Sequence, residues 1–455
     1  MTEQFKEQGG FATMDPSPIK RWLTSKVVGR VCGTANLSKR RKQCESARVK
    51  SGAAHVVEYF HYVEDGYSHL AAQVLQAFSE RYDIELICHL VEGPQGKNSA
   101  EPELLLRLSR YDAFHVAPGY GLNFPQHENA PAPHLVKLAS SILAAQGSAE
   151  FIECAAHVGD ALWSGDEARL QSLASSLGTA SDEELSKKLE MGTARRSELK
   201  HYSGAMFYYG QEWYWGVDRL YHLEKRLAEL GADREQGQPF VVPRPQVELG
   251  GLKDNGSLTL EVYPSLRSPY TAIVFDRTIK LAQQTGVKLV VKPVLPMVMR
   301  GVPATREKGL YIFSDTMREA SEAGVPYGNF YDPIGEPVRR CYSIYPWACE
   351  QGRGNALISS FLQAAFANGV NTNNNRGLKK VVESAGLDWA EAKKQIGTSG
   401  WEEQLENNRL AMYDAGLWGV PSFRLLDQQG DAVLSLWGQD RLWLISQGIQ
   451  RELSR

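Results

Sequence analysis

Three consecutive residues, Ser268, Pro269 and Tyr270, stand where the types and spacing needed for chemistry coincide. Before them Leu258–Tyr263 alternates strand-forming residues, and after them an apolar-periodic stretch runs to Leu281. Proline suits the first helical position because its missing N–H would have no partner there. Ser268 therefore becomes the N-cap, with its hydroxyl beside unpaired backbone donors. Such a helix start draws negative charge. The corner Ser268-Pro269-Tyr270-Thr271 holds no cysteine, so dithiol exchange at this place is excluded.

Three further segments accompany the corner. Lys308-Gly309-Leu310-Tyr311 is followed by Asp315, Trp418-Gly419-Val420-Pro421-Ser422-Phe423 carries a Val-Pro turn, and Trp437-Gly438-Gln439-Asp440-Arg441-Leu442 opens the last helical stretch. With Ser-Pro-Tyr, in this order, they resemble the glutathione-dependent branch of the DsbA superfamily of thioredoxin-like proteins, the kappa-class glutathione transferases and 2-hydroxychromene-2-carboxylate isomerases. The resemblance covers residues 257–455 and implies glutathione as cofactor. It implies that Ser268 is the catalytic residue, that Pro269, Tyr270, Val420 and Pro421 help bind glutathione, and that the Val420–Pro421 bond is cis, turning the Val420 main chain toward the tripeptide backbone. Lys308 would pair with a glutathione carboxylate, while Gln439 and Asp440 would hold the γ-glutamyl end. One departure is that Met299-Arg300-Gly301-Val302-Pro303 stands where the family has an asparagine, so Arg300 would have to supply that polar contact.

A thiol of pKa near ~8.5 is only a few per cent ionised at pH 7. Lowering it to about 6.5 takes roughly 2.7 kcal/mol of preference for the thiolate. A helix N-terminus offers ~0.3–2 kcal/mol and a hydroxyl donating to an anion ~1.5–3 kcal/mol, so the two together suffice. Ser268 can thus activate a bound thiol without being a nucleophile. The thiolate would attack a small-molecule electrophile; an isomerase and a transferase both need it and differ in leaving group and pocket. The alternatives are a non-catalytic thioredoxin-fold binding protein, or a DsbA-family protein without dithiol redox activity.

The elements that must position these residues occur twice. His55–Asp65 reads as a strand, Gly66–Arg81 as one helix and Asp83–Val91 as a second strand. Adding 203 to each number carries Glu58 to Glu261, Asp65 to Ser268 and Tyr67 to Tyr270 without a gap. The ends correspond too: Gly204-Ala205-Met206-Phe207 and Trp215-Gly216-Val217-Asp218-Arg219-Leu220 resemble the second half's cis-proline turn and final segment. Long helical stretches, about 100–195 and 303–416, interrupt each copy. The expected fold is α/β, two tandem thioredoxin-like domains of DsbA/kappa type, each with an inserted helical subdomain, able to dock as a pseudo-dimer. Expected divisions are a basic arm at 1–50, a degenerate domain at 51–232, a linker at 233–256 and the glutathione-binding domain at 257–455. The arm includes a short helix around Pro18–Val31.

The first copy departs at the activating corner, where Asp65 replaces Ser268 and Ala205 replaces Pro421. A carboxylate beside a thiolate opposes its ionisation, so this copy should not activate glutathione. The turn before Ala205 is expected to be trans. A second site with Asp65 as a base, near His61 or His69, is the sharper alternative to a purely structural copy.

Composition narrows the rest. With 43% apolar residues and a net charge of −3, the chain can build cores and has no apolar run of membrane-spanning length. Six cysteines without CxxC or zinc spacing point to free thiols and a cytoplasmic protein, with no metal site expected. Residues 1–50 carry eleven Lys/Arg against four Asp/Glu, and the run Lys39–Lys42 could suggest an anionic membrane surface or nucleic acid. Without interleaved aromatics the expectation is a solvated arm, or one packed on the acidic body of its own chain, and nucleic acid is not an expected partner. A further homo-oligomer is compatible with the sequence.

Overall fold

A computed structural model describes residues 15–455 except 127 and 303, so the tip at 1–14 and Pro303 lie outside the described residues. Helices α1 (Pro18–Cys32) and α2 (Thr34–Ser51) come first. The first sheet is made by β1 (His55–His61), β2 (Ile84–Leu90), β3 (Met206–Tyr209) and β4 (Glu212–Trp215). Between β1 and β2 lie α3 (Gly66–Ala72) and α4 (Leu75–Arg81). Between β2 and β3 lie α5 (Pro102–Val116), α6 (Pro133–Ala144), α7 (Ser148–Trp163), α8 (Glu167–Leu177) and α9 (Asp182–Glu198), and α10 (Gly216–Glu229) follows β4.

The second series has β5 (Thr259–Tyr263), α11 (Pro269–Thr285) and β6 (Lys288–Val291), then α12 (Arg306–Glu322), α13 (Glu336–Glu350), α14 (Gly354–Phe366), α15 (Asn375–Ser384), α16 (Trp389–Lys394) and α17 (Trp401–Asp414). It closes with β7 (Ser422–Leu426), β8 (Ala432–Trp437) and α18 (Leu442–Leu453). The sheets run β2-β1-β3-β4 and β6-β5-β7-β8, so both have the same order. In each, the first two strands are parallel and the other neighbours antiparallel. The two β-α-β units and the two inserted helical stretches read from the sequence are present as elements.

The described residues form two compact units, Ser38–Gln246 and Val247–Arg455 together with residues 15–37. In the first, Tyr59 of β1 lies 4.7 Å from Phe207 of β3, and Phe78 of α4 contacts both Phe207 and Tyr82. In the second, Leu260 and Val262 of β5, Phe423 and Leu425 of β7, and Val274 and Phe275 of α11 are buried. A buried acid recurs at the same position of each central strand. Burial alone would raise Glu58, yet its pairs with Arg195 (2.7 Å) and His89 (2.9 Å) outweigh that and hold it at about 2. Glu261 is held below its ordinary range in the same way, by Lys292, Tyr263 and Arg424.

Three details sharpen the sequence reading, and the first departs from it. The helix expected over Gly66–Arg81 is two, parted at Gln73–Val74, where the Gln73 amide bonds the Asn123 backbone at both N–H and C=O. Its counterpart α11 is one helix of 17 residues ending at Gly286 in the left-handed region. Of the two forms expected for the basic arm, solvated or packed on its own chain, α1 takes the packed one: Arg21 is 1% exposed and donates to the Asp332 and Ile334 carbonyls at 2.7 and 2.6 Å, and Ser25 accepts from Asp332 N–H. The expected linker is likewise shared out. Asp233 pairs with Arg81, and the Val241 and Val242 N–H groups donate to Glu224, whereas Glu248 accepts from Ser446 and Leu252 exchanges two bonds with Gln450. Among the described residues no helix is long and apolar enough to cross a membrane.

Candidate active site

The second sheet carries β5 directly into the Ser268 corner. Ser268 is the N-cap of α11, 8% exposed, and its Oγ accepts from the Thr271 N–H at 3.1 Å. The same hydroxyl donates to the Val420 carbonyl across a long 3.4 Å. The Val420–Pro421 bond is cis, as the resemblance implied, and leads into β7. Corner and turn, 152 residues apart in sequence, are thereby one site. Weak proton donation to Val420 leaves the hydroxyl free to swing to a better acceptor, because an anion commands a stronger hydrogen bond than a carbonyl at this distance.

Glycine is required in the turn. A Cβ on Gly419 would lie 2.4 Å from Nε1 of Trp437, and Gly438, at φ 112°, donates its N–H to the Pro421 carbonyl at 3.0 Å. These contacts lock the Trp-Gly-x-Asp-Arg segment against the proline turn. Tyr270 lies one position after Pro269 and donates to Asp315 at 2.8 Å; Arg318 holds the other oxygen of that fully buried carboxylate at 3.0 Å. The Tyr-Asp pair fixes the first turn of α11 to α12.

Lys308, also on α12, places its ammonium 5.5 Å from the ring centre of Trp418. Burial pushes it down to about 8. Asp440 is half-buried with Arg441 at 3.4 Å, and α18 starts at Leu442 with Arg441 in the cap position. Gln439, expected with Asp440 at the γ-glutamyl end, turns its side chain inward. It is 1% exposed, its amide donates to Glu319 at 2.7 Å, and its Oε1 is buried without a hydrogen-bond partner. The structure thus brings Ser268, Pro269, Val420 and Pro421 together, joins Tyr270 to α12, and turns the Gln439 side chain inward. Arg300 donates to the Leu295 carbonyl at 3.2 Å within its own turn.

Glu319 and Arg318 were missed. The signal was available: Glu319 follows Asp315 by four residues on the same helix, which puts both on one face.

At the matching corner of the first unit, Asp65 caps α3 and accepts from Tyr67 N–H (3.3 Å) and Ser68 Oγ (3.1 Å). Burial pushes it up to about 6 against those bonds. Tyr67 donates to Asp112 at 2.8 Å, repeating Tyr270 and Asp315 at the same offset. Ala205 has φ 52°, and its preceding bond is not cis. The Asp218 carboxylate accepts from Tyr120 at 2.6 Å. His61 contacts the Tyr59 hydroxyl and is pushed down to about 3 by burial, while His69 pairs with Asp160 at 3.2 Å. Both histidines are engaged away from Asp65. No cluster of three metal-ligating groups occurs among the described residues.

Comparison with known proteins supports the same region. The sequence model of the DSBA-like thioredoxin domain matches residues 259–450. No curated protein matches the chain. Among solved structures, a 2-hydroxychromene-2-carboxylate isomerase is similar at 20% identity over 43% of this chain and 95% of its own, with a TM-score of 0.36. A probable DsbA oxidoreductase from Streptomyces coelicolor is similar at 16% identity over 43% and 91%, TM-score 0.33. The cytosolic disulfide reductase DsbM from Pseudomonas aeruginosa is similar at 17% identity over 43% and 99%, TM-score 0.35. The matched residues run from strand β5 to the last turns of α18.

Proposed function

We propose that the protein is a glutathione-dependent isomerase or transferase whose single working site is the Ser268 corner. The observation that carries this reading is the meeting of the Ser268 hydroxyl, at the mouth of a 17-residue helix, with the cis Val420–Pro421 turn and without any cysteine. A tripeptide pairing with the Val420 main chain would lay its sulfur at that helix mouth. Ser268 would then give up its long bond to Val420 and donate to the thiolate, with the helix start adding to the stabilisation. In this reading Lys308 holds a carboxylate of glutathione and Asp440 accepts from its ammonium. The Gln439 side chain braces the segment through Glu319 and leaves contact with the ligand to its neighbours.

The first unit is a tandem copy that has lost the chemistry in this reading. Its Asp65 would oppose a thiolate, and Tyr120 already occupies Asp218. All six cysteines are free thiols, in keeping with a reducing, cytoplasmic setting. The test is isothermal titration of glutathione into the full chain, then ultraviolet titration of the bound thiolate. Binding that is lost in Asp440→Ala, with a bound thiol pKa well below that of free glutathione, is expected. Absence of binding would leave only the non-catalytic reading.

A further inference from the structure

We propose that α1 is an interfacial helix that seats the protein on an anionic lipid surface. Twelve large apolar residues are exposed among the described residues, and five of them lie on this one helix: Ile19 (78% exposed), Trp22 (52%), Leu23 (54%), Val27 (50%) and Val31 (39%). Ile19, Leu23, Val27 and Val31 follow one another in steps of four, each step turning the row by about 40°. The four therefore sweep about 120°, a sector in which Lys20, Lys26 and Arg30 also emerge, so the exposed side mixes apolar and cationic side chains. The opposite side holds Arg21, Ser25 and Cys32, which are the buried positions of the helix.

That orientation is fixed rather than incidental. Arg21 spends its guanidinium on the Asp332 and Ile334 carbonyls and on Asp15, and Ser25 both donates to the Arg21 carbonyl and receives the Asp332 N–H. Rolling the helix to hide its apolar row would strip these buried bonds. The usual arrangement, apolar side inward and polar side outward, is reversed by polar anchors.

Charge selects the occupant. The fifteen residues of α1 include no acid, and Lys20, Lys26 and Arg30 are exposed. By helical geometry, Lys26 and Arg30 emerge within about 20° of Ile19, among the apolar side chains. Their long stems can reach lipid phosphates while the row beside them enters the acyl boundary. A second copy docked face to face would bring like charges together, and a nucleic acid would leave five apolar side chains in water. With its basic residues and only fifteen positions, the helix lies in the surface and does not span it.

The test is flotation of the full chain with vesicles of phosphatidylglycerol and phosphatidylcholine, and with phosphatidylcholine alone. Co-flotation with the anionic vesicles only, weakening at least about fivefold as salt rises, is expected. Leu23→Asp and Val27→Asp should each reduce it about tenfold, and Lys26→Glu with Arg30→Glu should abolish it. These positions are exposed, so glutathione affinity and the circular dichroism melt serve as fold controls. The proposal is overturned by wild-type protein that does not float, by flotation that Leu23→Asp leaves unchanged, by a concentration-dependent dimer that Leu23→Asp dissolves, or by salt-sensitive binding to an oligonucleotide in place of vesicles.

Discussion

At the residue scale the proposed reaction would turn on the Ser268 hydroxyl proton. In the structure it points to a carbonyl 3.4 Å away, so a thiolate would win it at little cost. Ser268→Ala is expected to raise the pKa of bound glutathione by roughly 1–2 units, since it removes a charge-assisted bond worth ~1.5–3 kcal/mol, while affinity is largely kept. Thiolate absorbance against pH measures it, and an unmoved titration would remove Ser268 from the mechanism. Lys308 makes a second test. With its ammonium pushed down to about 8, the cation is present below that pH and lost above it. Affinity for S-methylglutathione, which has no thiol to titrate, should therefore fall as pH rises through about 8. Lys308→Met should be weak and flat over the same range.

Asp65 carries the opposite expectation for stability. Its folded pKa is raised to about 6, so the folded state holds a proton that the unfolded chain releases near the ordinary carboxylate value. The stability contributed is whole at low pH and is lost as pH rises from about 4 to 6. Asp65→Asn should flatten that slope and stabilise the first unit by about 2 kcal/mol at pH 7, read from denaturant melts.

Among elements, α1 shows how far local pattern misleads. Trp22, Leu23, Val27 and Val28 mark the helix in the sequence, but they suggest an apolar inner side, whereas the buried residues are Arg21, Ser25 and Cys32. Periodicity locates a helix and cannot say which side is buried when the seat is made of backbone carbonyls far along the chain. Arg21→Met leaves the Asp332 and Ile334 carbonyls without their donor, a loss of roughly 2–4 kcal/mol, and should expose residues 18–32 to limited proteolysis before the rest of the protein. The β-α-β units were more legible, because strand alternation and a capped helix are written within thirty residues of each other. Even there the break at Gln73 depends on Asn123, fifty residues on, and nothing local announces it.

Across the whole molecule, the 203-residue offset holds in three dimensions as well as in sequence. Glu58 and Glu261, Tyr67 and Tyr270, and Asp112 and Asp315 occupy matching places with matching partners. What was not legible was the inward turn of Gln439, since a segment motif gives the order of residues and not which side chain Glu319 captures. The two corners, alike in backbone but with an acid at one and a neutral hydroxyl at the other, predict one glutathione per chain. Isothermal titration of the full chain should give a stoichiometry near one that Asp65→Asn does not increase and Asp440→Ala removes.

The docking of α1 also sets a timetable for the newborn chain. Arg21 leaves the ribosome 311 residues before Asp332, its acceptor, exists. At about 5–20 residues per second that is a wait of roughly 15–60 s. Throughout it the helix has no seat, even in the last stretch, when residues 38–246 are complete. A nascent chain stalled before Asp332 should therefore show the first unit protected and its leading helix still open to attack, with protection arriving only once the later loop has emerged.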